Sequence, residues 1–282
     1  MNVLSSSISA TSPICVIGCG GTGSELIKLL YNTYSNITIV DNDSIALSNL
    51  CRQFFYTPID IGKSKAKILG EKLGIKHHVS SFENLETGFL NAFEIVFSCV
   101  DNIATRMEIN FQFIRSQAKI LIDMGVDDFK CHVKKVSAQS ACLYCIRDLY
   151  SENETLNLCM LKSIQNVNHS NRIQILKSIV FENKDTKTNN ELVNIFNNLV
   201  QKPDLFTTEF EIAQYVDNII PNTSCINSIC ASLAVCCLYN LEHDFYFYNG
   251  HNCYLLKEKI IKEDNCIACN YDNGTYMSLS QQ

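Results

Sequence analysis

A four-residue apolar run at 14–17, ICVI, ends directly in the glycine-rich segment GCGGTG at 18–23, and Leu26, Ile27, Leu29 and Leu30 follow with helical spacing. Strand, tight turn and helix in that order open a β-α unit. The pattern then continues. Residues 37–40, 95–98 and 120–122 read as further buried strands, and residues 66–73 as a helix. Strands alternating with helices predict an α/β fold built on a doubly wound, Rossmann-like parallel sheet. Each later strand runs into an acid, Asp41, Asp101 or Asp123. The carboxyl ends of strands are where an open parallel sheet presents ligand-contacting groups.

The alternation stops near residue 140. Residues 146–220 are polar and helical in pattern, with Leu192, Ile195, Phe196, Leu199 and Val200 on one stripe and a charged connector, ENKDTKTNN, at 182–190. The expected layout is a first part of the main domain at 1–145, a helical insertion at 146–218, and a return to the main domain at 219–282 through a buried helix at 225–240 and an aromatic strand at 244–250. A net charge of -6 argues against general affinity for nucleic acid or for an anionic membrane surface. The longest apolar stretch, 225–241, contains Asn227, Ser228 and Ser232 and falls short of the ~20 residues of a membrane span. The first residues lack the basic and apolar regions of a secretory signal, so the expected compartment is the cytosol or nucleus, with the 15 cysteines reduced.

Gly18, Gly20 and Gly23, with Gly21 between them, form G-x-G-x-x-G at a strand-to-helix turn. There, backbone N–H groups and the helix N-terminus face a phosphate. That pattern leaves NAD, FAD and ATP open. Asp41 is placed to bond ribose hydroxyls, with Asp43 two residues on; a turn built from Asp-Asn-Asp fits the same residues. Asn49, Arg52 and Gln53 bring an amide and a guanidinium just beyond the sheet edge, and arginine grips phosphate oxygens bidentately. Lys63 and Lys65 flank Ser64. A lysine beside a triphosphate neutralises charge that builds during attack at the α-phosphorus. Asp101 suits magnesium, which takes one or two carboxylates plus phosphate oxygens. Asn102 and Arg106 either support that site or cap and pack the next helix. The set as a whole favours ATP used for adenylation.

Cys142-x-x-Cys145 and Cys266-x-x-Cys269 are two pairs of zinc-knuckle spacing, far apart in sequence. Four thiolates leave no open coordination position, so a zinc ion there would be structural, stapling the C-terminal segment to the body of the domain.

Together GCGGTG, D-x-D-x-I-x-x-SNL-x-RQ, GKSKA, DN-x-x-x-R and the paired C-x-x-C resemble, in order, the ubiquitin-activating-enzyme superfamily. That superfamily includes the bacterial molybdopterin and thiamin adenylyltransferases. The nearer likeness is to the catalytic subunits of heterodimeric eukaryotic activating enzymes, above all those serving neddylation. LIDMGVDDFK at 121–130 resembles their strand and crossover loop, ACLYCIRDLY their first zinc pair, IIPNTSCINS at 219–228 their Ile-Ile-Pro segment with Asn227, and FYNGHNCYLL their last strand. The resemblance implies a site for ATP and Mg2+ made of Gly18, Gly20, Gly23, Asp41, Asp43, Asn49, Arg52, Gln53, Lys65 and Asp101. It also implies a thioester nucleophile, Cys159 in LNLCMLKS, 14 residues after Cys145.

The implied partners are a ubiquitin-like modifier, an inactive adenylation-like subunit completing a heterodimer, and a conjugating enzyme. Two departures stand out. Met160 follows Cys159 where the family usually has threonine, and the 13 residues after Cys269 leave no room for the family's ubiquitin-fold domain. Alternatives within the resemblance are a sulfur-carrier adenylyltransferase homodimer, a SUMO-type subunit and a non-catalytic scaffold subunit.

Overall fold

The computed structural model describes residues 8–150, 172–183, 186–200, 202–209, 211–212, 223–240 and 242–270. The chain divides into two compact units, Met1–Tyr150 with Asn222–Gln282, and Ser151–Pro221.

The first unit is one eight-stranded sheet. In chain order, its elements begin β1 (Ile14–Ile17), α1 (Gly21–Leu30), β2 (Ile37–Val40), α2 (Lys65–Leu73), β3 (Lys76–His78), β4 (Ile95–Ser98) and α3 (Ile103–Ile114). β5 (Ile120–Asp127) and β6 (Lys130–Val136) follow. The last helix of this unit spans Ser224–Tyr239, ahead of β7 (Phe245–Asn249) and β8 (Tyr254–Glu258). The spatial order is β3-β2-β1-β4-β5-β6-β7-β8. The first five are mutually parallel, while β6, β7 and β8 are antiparallel to their neighbours. The sheet is therefore doubly wound as expected over its first half and mixed over its second.

Two strand readings change. Residues 120–127 form one long strand, so Asp123 lies within it and is fully buried rather than following its end. Residues 121–130 do not make a crossover loop: β5 turns straight back into β6 through Asp128, whose φ is +54°.

β1 and β4 are buried along their whole length, which explains why ICVI is wholly apolar and IVFS apolar up to Ser98. Alternate residues feed two cores. Ile14, Val16, Ile39, Phe97 and Met124 pack with Leu26, Ile27, Leu69, Ala231 and Ala234 on one face. Cys15, Ile17, Val40, Val96 and Leu121 pack with Ile109, Phe113, Leu143 and Cys266 on the other. β1 pairs with β2 from Ile14 and Ile37 to Ile17 and Val40, and with β4 from Ile14 and Ile95 to Ile17 and Ser98. The strand order reverses at the β1–β4 seam, which opens a crevice beyond the carboxyl ends of the strands.

In the second unit, α4 (Arg172–Asn183) and α5 (Asn189–Val200) bring Ile175, Ile179 and Val180 onto Leu192, Phe196 and Val200. Arg172 grips Glu211 with two bonds of 2.7 Å and lies over the Phe196 ring. The helix Ser224–Tyr239 of the first unit is called α6 below. No described helix is long and apolar enough to cross a membrane.

Candidate nucleotide site and four-thiol cluster

β1 delivers the chain to Gly18 with φ +97°, and a Cβ there would lie 2.6 Å from the Cys99 carbonyl oxygen at the end of β4. Gly23 is tighter still. Its Cβ would come within 1.9 Å of the Gly18 carbonyl oxygen, so the first turn of α1 sits directly on the loop. At Gly20 a Cβ would meet nothing within 4 Å. Gly18 and Gly23 close the loop against the sheet, and Gly20 between them leaves its backbone open at the start of α1. That is the cradle a phosphate requires.

Asp41 leaves β2 and is locked by the same loop. Its Oδ2 accepts from the Cys19 N–H at 2.6 Å and its Oδ1 from the Asp43 N–H at 2.7 Å. Each oxygen keeps a further lone pair for a ligand hydroxyl. Burial pushes this carboxyl up, and the two backbone bonds with the Lys65 charge offset it only in part.

Lys65 is brought in by a strap. Ile45 N–H donates to the Lys63 carbonyl and Gly62 N–H to the Ile45 carbonyl, each at 2.8 Å, and Lys65 N–H donates to the Asp43 carbonyl at 2.9 Å. The Lys65 ammonium, on a 7% exposed residue, then pairs with Asp43 Oδ2 at 2.8 Å. Lys63 points outward to Asp60, 3.8 Å away. Tyr56, which the sequence reading passed over, is buried beneath the loop, and its hydroxyl lies 3.2 Å from the Cys19 carbonyl and 3.3 Å from that of Lys65.

The segment after Asp43 gives its residues different work. Asn49 is buried and its Oδ1 accepts from the Ala46 N–H at 2.9 Å, closing a short 3-10 turn. Arg52 Nη1 donates to the Ser48 carbonyl at 3.2 Å and keeps other donors available. Gln53 is 3% exposed, and its Oε1 has no hydrogen-bond partner among the described residues.

Asp101 stands exposed two residues past Cys99. Its neighbours do what the plainer reading allowed. Asn102 caps α3 by accepting from the Thr105 N–H at 2.7 Å. Arg106 donates to Asp123 at 2.6 Å and to the Val100 carbonyl at 2.5 Å. Asp123 also accepts from Ser98 and Tyr150 and lies 3.2 Å from His132 Nε2. Sequence spacing carried no sign of this buried cluster, because its members come from five separate segments. It anchors the loop that holds Asp101.

Cys142, Cys145, Cys266 and Cys269 converge on the opposite core. All four sulfurs lie within 4.8 Å of one another, with separations of 3.9, 3.6 and 3.7 Å for the pairs 142–145, 142–266 and 145–269. A tetrahedron with Zn–S bonds of about 2.3 Å has edges of about 3.8 Å. The donor set fits zinc. The Glu263 N–H, 3.5 Å from Cys145 Sγ, adds an outer donor of the kind that steadies a metal-bound thiolate. Cys159 lies outside the described residues, as does Ile-Ile-Pro at 219–221.

Known proteins share this architecture. The chain is 27% identical to the protein named NEDD8-activating enzyme E1 catalytic subunit of Saccharomyces cerevisiae, covering 93% of this chain and 98% of that one. It is 26% identical to the Arabidopsis thaliana protein of the same name over 91% of this chain, and spans 65% of that relative's length. The crystal structure of E. coli MccB with ATP superimposes with a TM-score of 0.57 at 14% identity, covering 92% of this chain and 66% of that one, a likeness of fold. The sequence model described as "ThiF family" matches residues 7–249. With its glycine loop, β1–β4 crevice and seven of its eight strands inside that match, the chain belongs to the ThiF family.

Proposed function

We propose that this chain is the catalytic subunit of a ubiquitin-like-modifier activating enzyme of the neddylation type. The observation that carries the reading is the joining of Asp41, Asp43 and Lys65 around an open glycine loop at the β1–β4 seam. The names of the yeast and Arabidopsis relatives and the ATP complex of MccB support it.

In this reading ATP is a substrate. The backbone at Gly20 and Gly21 receives its phosphates, Asp41 its ribose hydroxyls, and Arg52, Asn49 and Gln53 its phosphate oxygens. The modifier's C-terminal glycine carboxylate attacks the α-phosphorus. A P–O bond forms, the α–β bridging bond breaks and pyrophosphate leaves with its electrons. Lys65, released from Asp43, offsets the charge that accumulates. Magnesium, when bound at Asp101, would neutralise phosphate charge, and zinc, when bound by the four thiols, would tie the 266–269 segment to the main sheet.

The Cys159 thiolate then attacks the acyl carbonyl, forming a thioester and expelling AMP, its proton having passed to solvent. An inactive adenylation-like subunit, the modifier and a conjugating enzyme are the partners of this reading.

The test is incubation with ATP, magnesium, a candidate partner subunit and NEDD8, SUMO or ubiquitin. Pyrophosphate exchange and a thiol-sensitive conjugate are expected with one of them. Cys159→Ala should keep exchange and lose the conjugate, and absence of both activities in the native chain sinks the reading.

A further inference from the structure

α1, whose first turn forms the phosphate loop, lies beside α6, and the two helices run in the same direction. The Thr22 hydroxyl donates to Asn227 Oδ1 at 3.2 Å, and the Ser228 hydroxyl donates to Glu25 Oε2 at 2.6 Å. At the far end, Tyr34, beyond α1, and Tyr239, the last residue of α6, bond through their hydroxyls. Between the polar ends, the contact is apolar, with Leu26, Ile27 and Leu30 in one core with Ile226, Cys230 and Ala234. α6 is thus a rail along which α1 is set.

Asn227 is the part of that rail that reaches the loop. It is fully buried, in the first turn of α6. Its carboxamide packs so closely on α1 that a Cβ on Gly21 would lie 2.4 Å from Nδ2 and 3.1 Å from Cγ. A buried amide held in one orientation is costly to leave unpaired, so this contact defines one position for the backbone of Gly21 and Thr22. The N–H groups of that backbone open the helix, ahead of the first intrahelical bonds.

We propose that Asn227 is a positioning residue for the phosphate loop, fixing the first turn of α1 so that its free N–H groups meet the polyphosphate of ATP. The proposal rests on the nucleotide reading above and adds a residue to it from the far end of the chain. It also explains why a Cβ at Gly21 would meet a buried carboxamide, although its neighbour Gly20 stands in open space.

The experiment titrates ATP with magnesium, and separately adenosine, into the purified full chain by calorimetry. Its variants are Asn227→Asp, Asn227→Ala, Gly21→Ala and the double variant Gly21→Ala with Asn227→Ala. Asparagine to aspartate keeps the shape, removes the Nδ2 donor and sets a negative charge where the phosphates bind. ATP affinity should fall about tenfold or more, with adenosine affinity held within about twofold. Gly21→Ala displaces the same carboxamide and should weaken ATP alone by about three- to tenfold. Added to Asn227→Ala it should cost nothing further, because the methyl group occupies the vacated space.

Equal losses for ATP and adenosine, unchanged ATP binding in Asn227→Asp, or additive losses in the double variant overturn the proposal and leave the nucleotide reading standing. A native chain that binds no ATP overturns both. Thermal midpoints report folding; should Asn227→Asp fail to fold, Gly21→Ala and the double variant decide the matter.

Discussion

Replacing Asp123 with asparagine removes one charge from a buried ionic cluster of the first unit without changing its shape. Asp123 is fully buried, and the Arg106 side chain against it is 8% exposed. The native carboxylate accepts from Arg106 at 2.6 Å, Ser98 at 2.7 Å and Tyr150 at 2.9 Å, with His132 at 3.2 Å. In Asp123→Asn the guanidinium keeps the Val100 carbonyl but loses its counter-charge in a largely buried site. Breaking a buried pair from one side costs about 3–5 kcal/mol. For a chain of this size that lowers the thermal midpoint by roughly 5–15 °C.

Removing the stranded charge as well, with Arg106→Met and Asp123→Leu together, should recover part of the loss. The dependence on pH adds a second check. Burial alone would push the Asp123 carboxyl up, but Arg106, His132 and Ser98 outweigh it and hold it well below the usual carboxylate range. Such a group contributes stability that is complete above the unfolded-state value near ~4 and is lost as pH falls toward the folded-state value. Denaturant unfolding of native and Asp123→Asn protein should therefore differ most above about pH 5, with the gap closing below about pH 4. A loss under about 1 kcal/mol at pH 7, or a double variant less stable than the single one, refutes the reasoning.

Zinc analysis should find one ion per chain, and Cys266→Ser should abolish it, with limited proteolysis near the C-terminal segment rising sharply as the 266–269 tie is lost. Lys65→Ala should lower pyrophosphate exchange by about 10²-fold while leaving the fold intact, since Asp43 is 59% exposed on its side chain and solvates easily once its partner is gone. Gly18→Ala should destabilise by at least ~1–2 kcal/mol in thermal unfolding, because its φ of +97° and the Cys99 carbonyl 2.6 Å from the new Cβ act together.

The centre of the parallel half was legible because β1, β2 and β4 are buried on both faces, so ICVI, ITIV and IVFS read as short, mostly apolar runs. β6, KCHVKKV, was not. Its Lys134 is fully buried beside Asp244 at 3.0 Å, and Lys135 donates to the carbonyls of Cys237 and Asn240 at the end of α6. A lysine pair in sequence signals a solvated face. Here burial lowers both ammonium groups from their ordinary range, Asp244 working against that shift, and the partners lie about a hundred residues away in sequence. Asp123 was misplaced for a related reason: a carboxylate ends an apolar run on paper, and only a distant arginine allows the strand to continue through it.

In the nucleotide loop the residue types carried the chemistry, while Tyr56 and the clasp of Asn227 on Gly21 depended on side chains meeting across the fold. The four cysteines were legible from spacing alone, since a tetrahedral thiolate site imposes its short C-x-x-C turns on sequence directly.

The division of the first unit into two stretches of chain has a consequence for synthesis. β1 to β6 leave the ribosome as a group, with Met124, Cys131 and Val133 facing a place that α6 will fill only after residue 224 is made. At roughly 5–20 residues per second, that delay is roughly 4–18 s. Until β7 follows at Phe245, β6 is an open sheet edge, and an unpaired strand beside apolar surface is the kind of surface that chaperones cover.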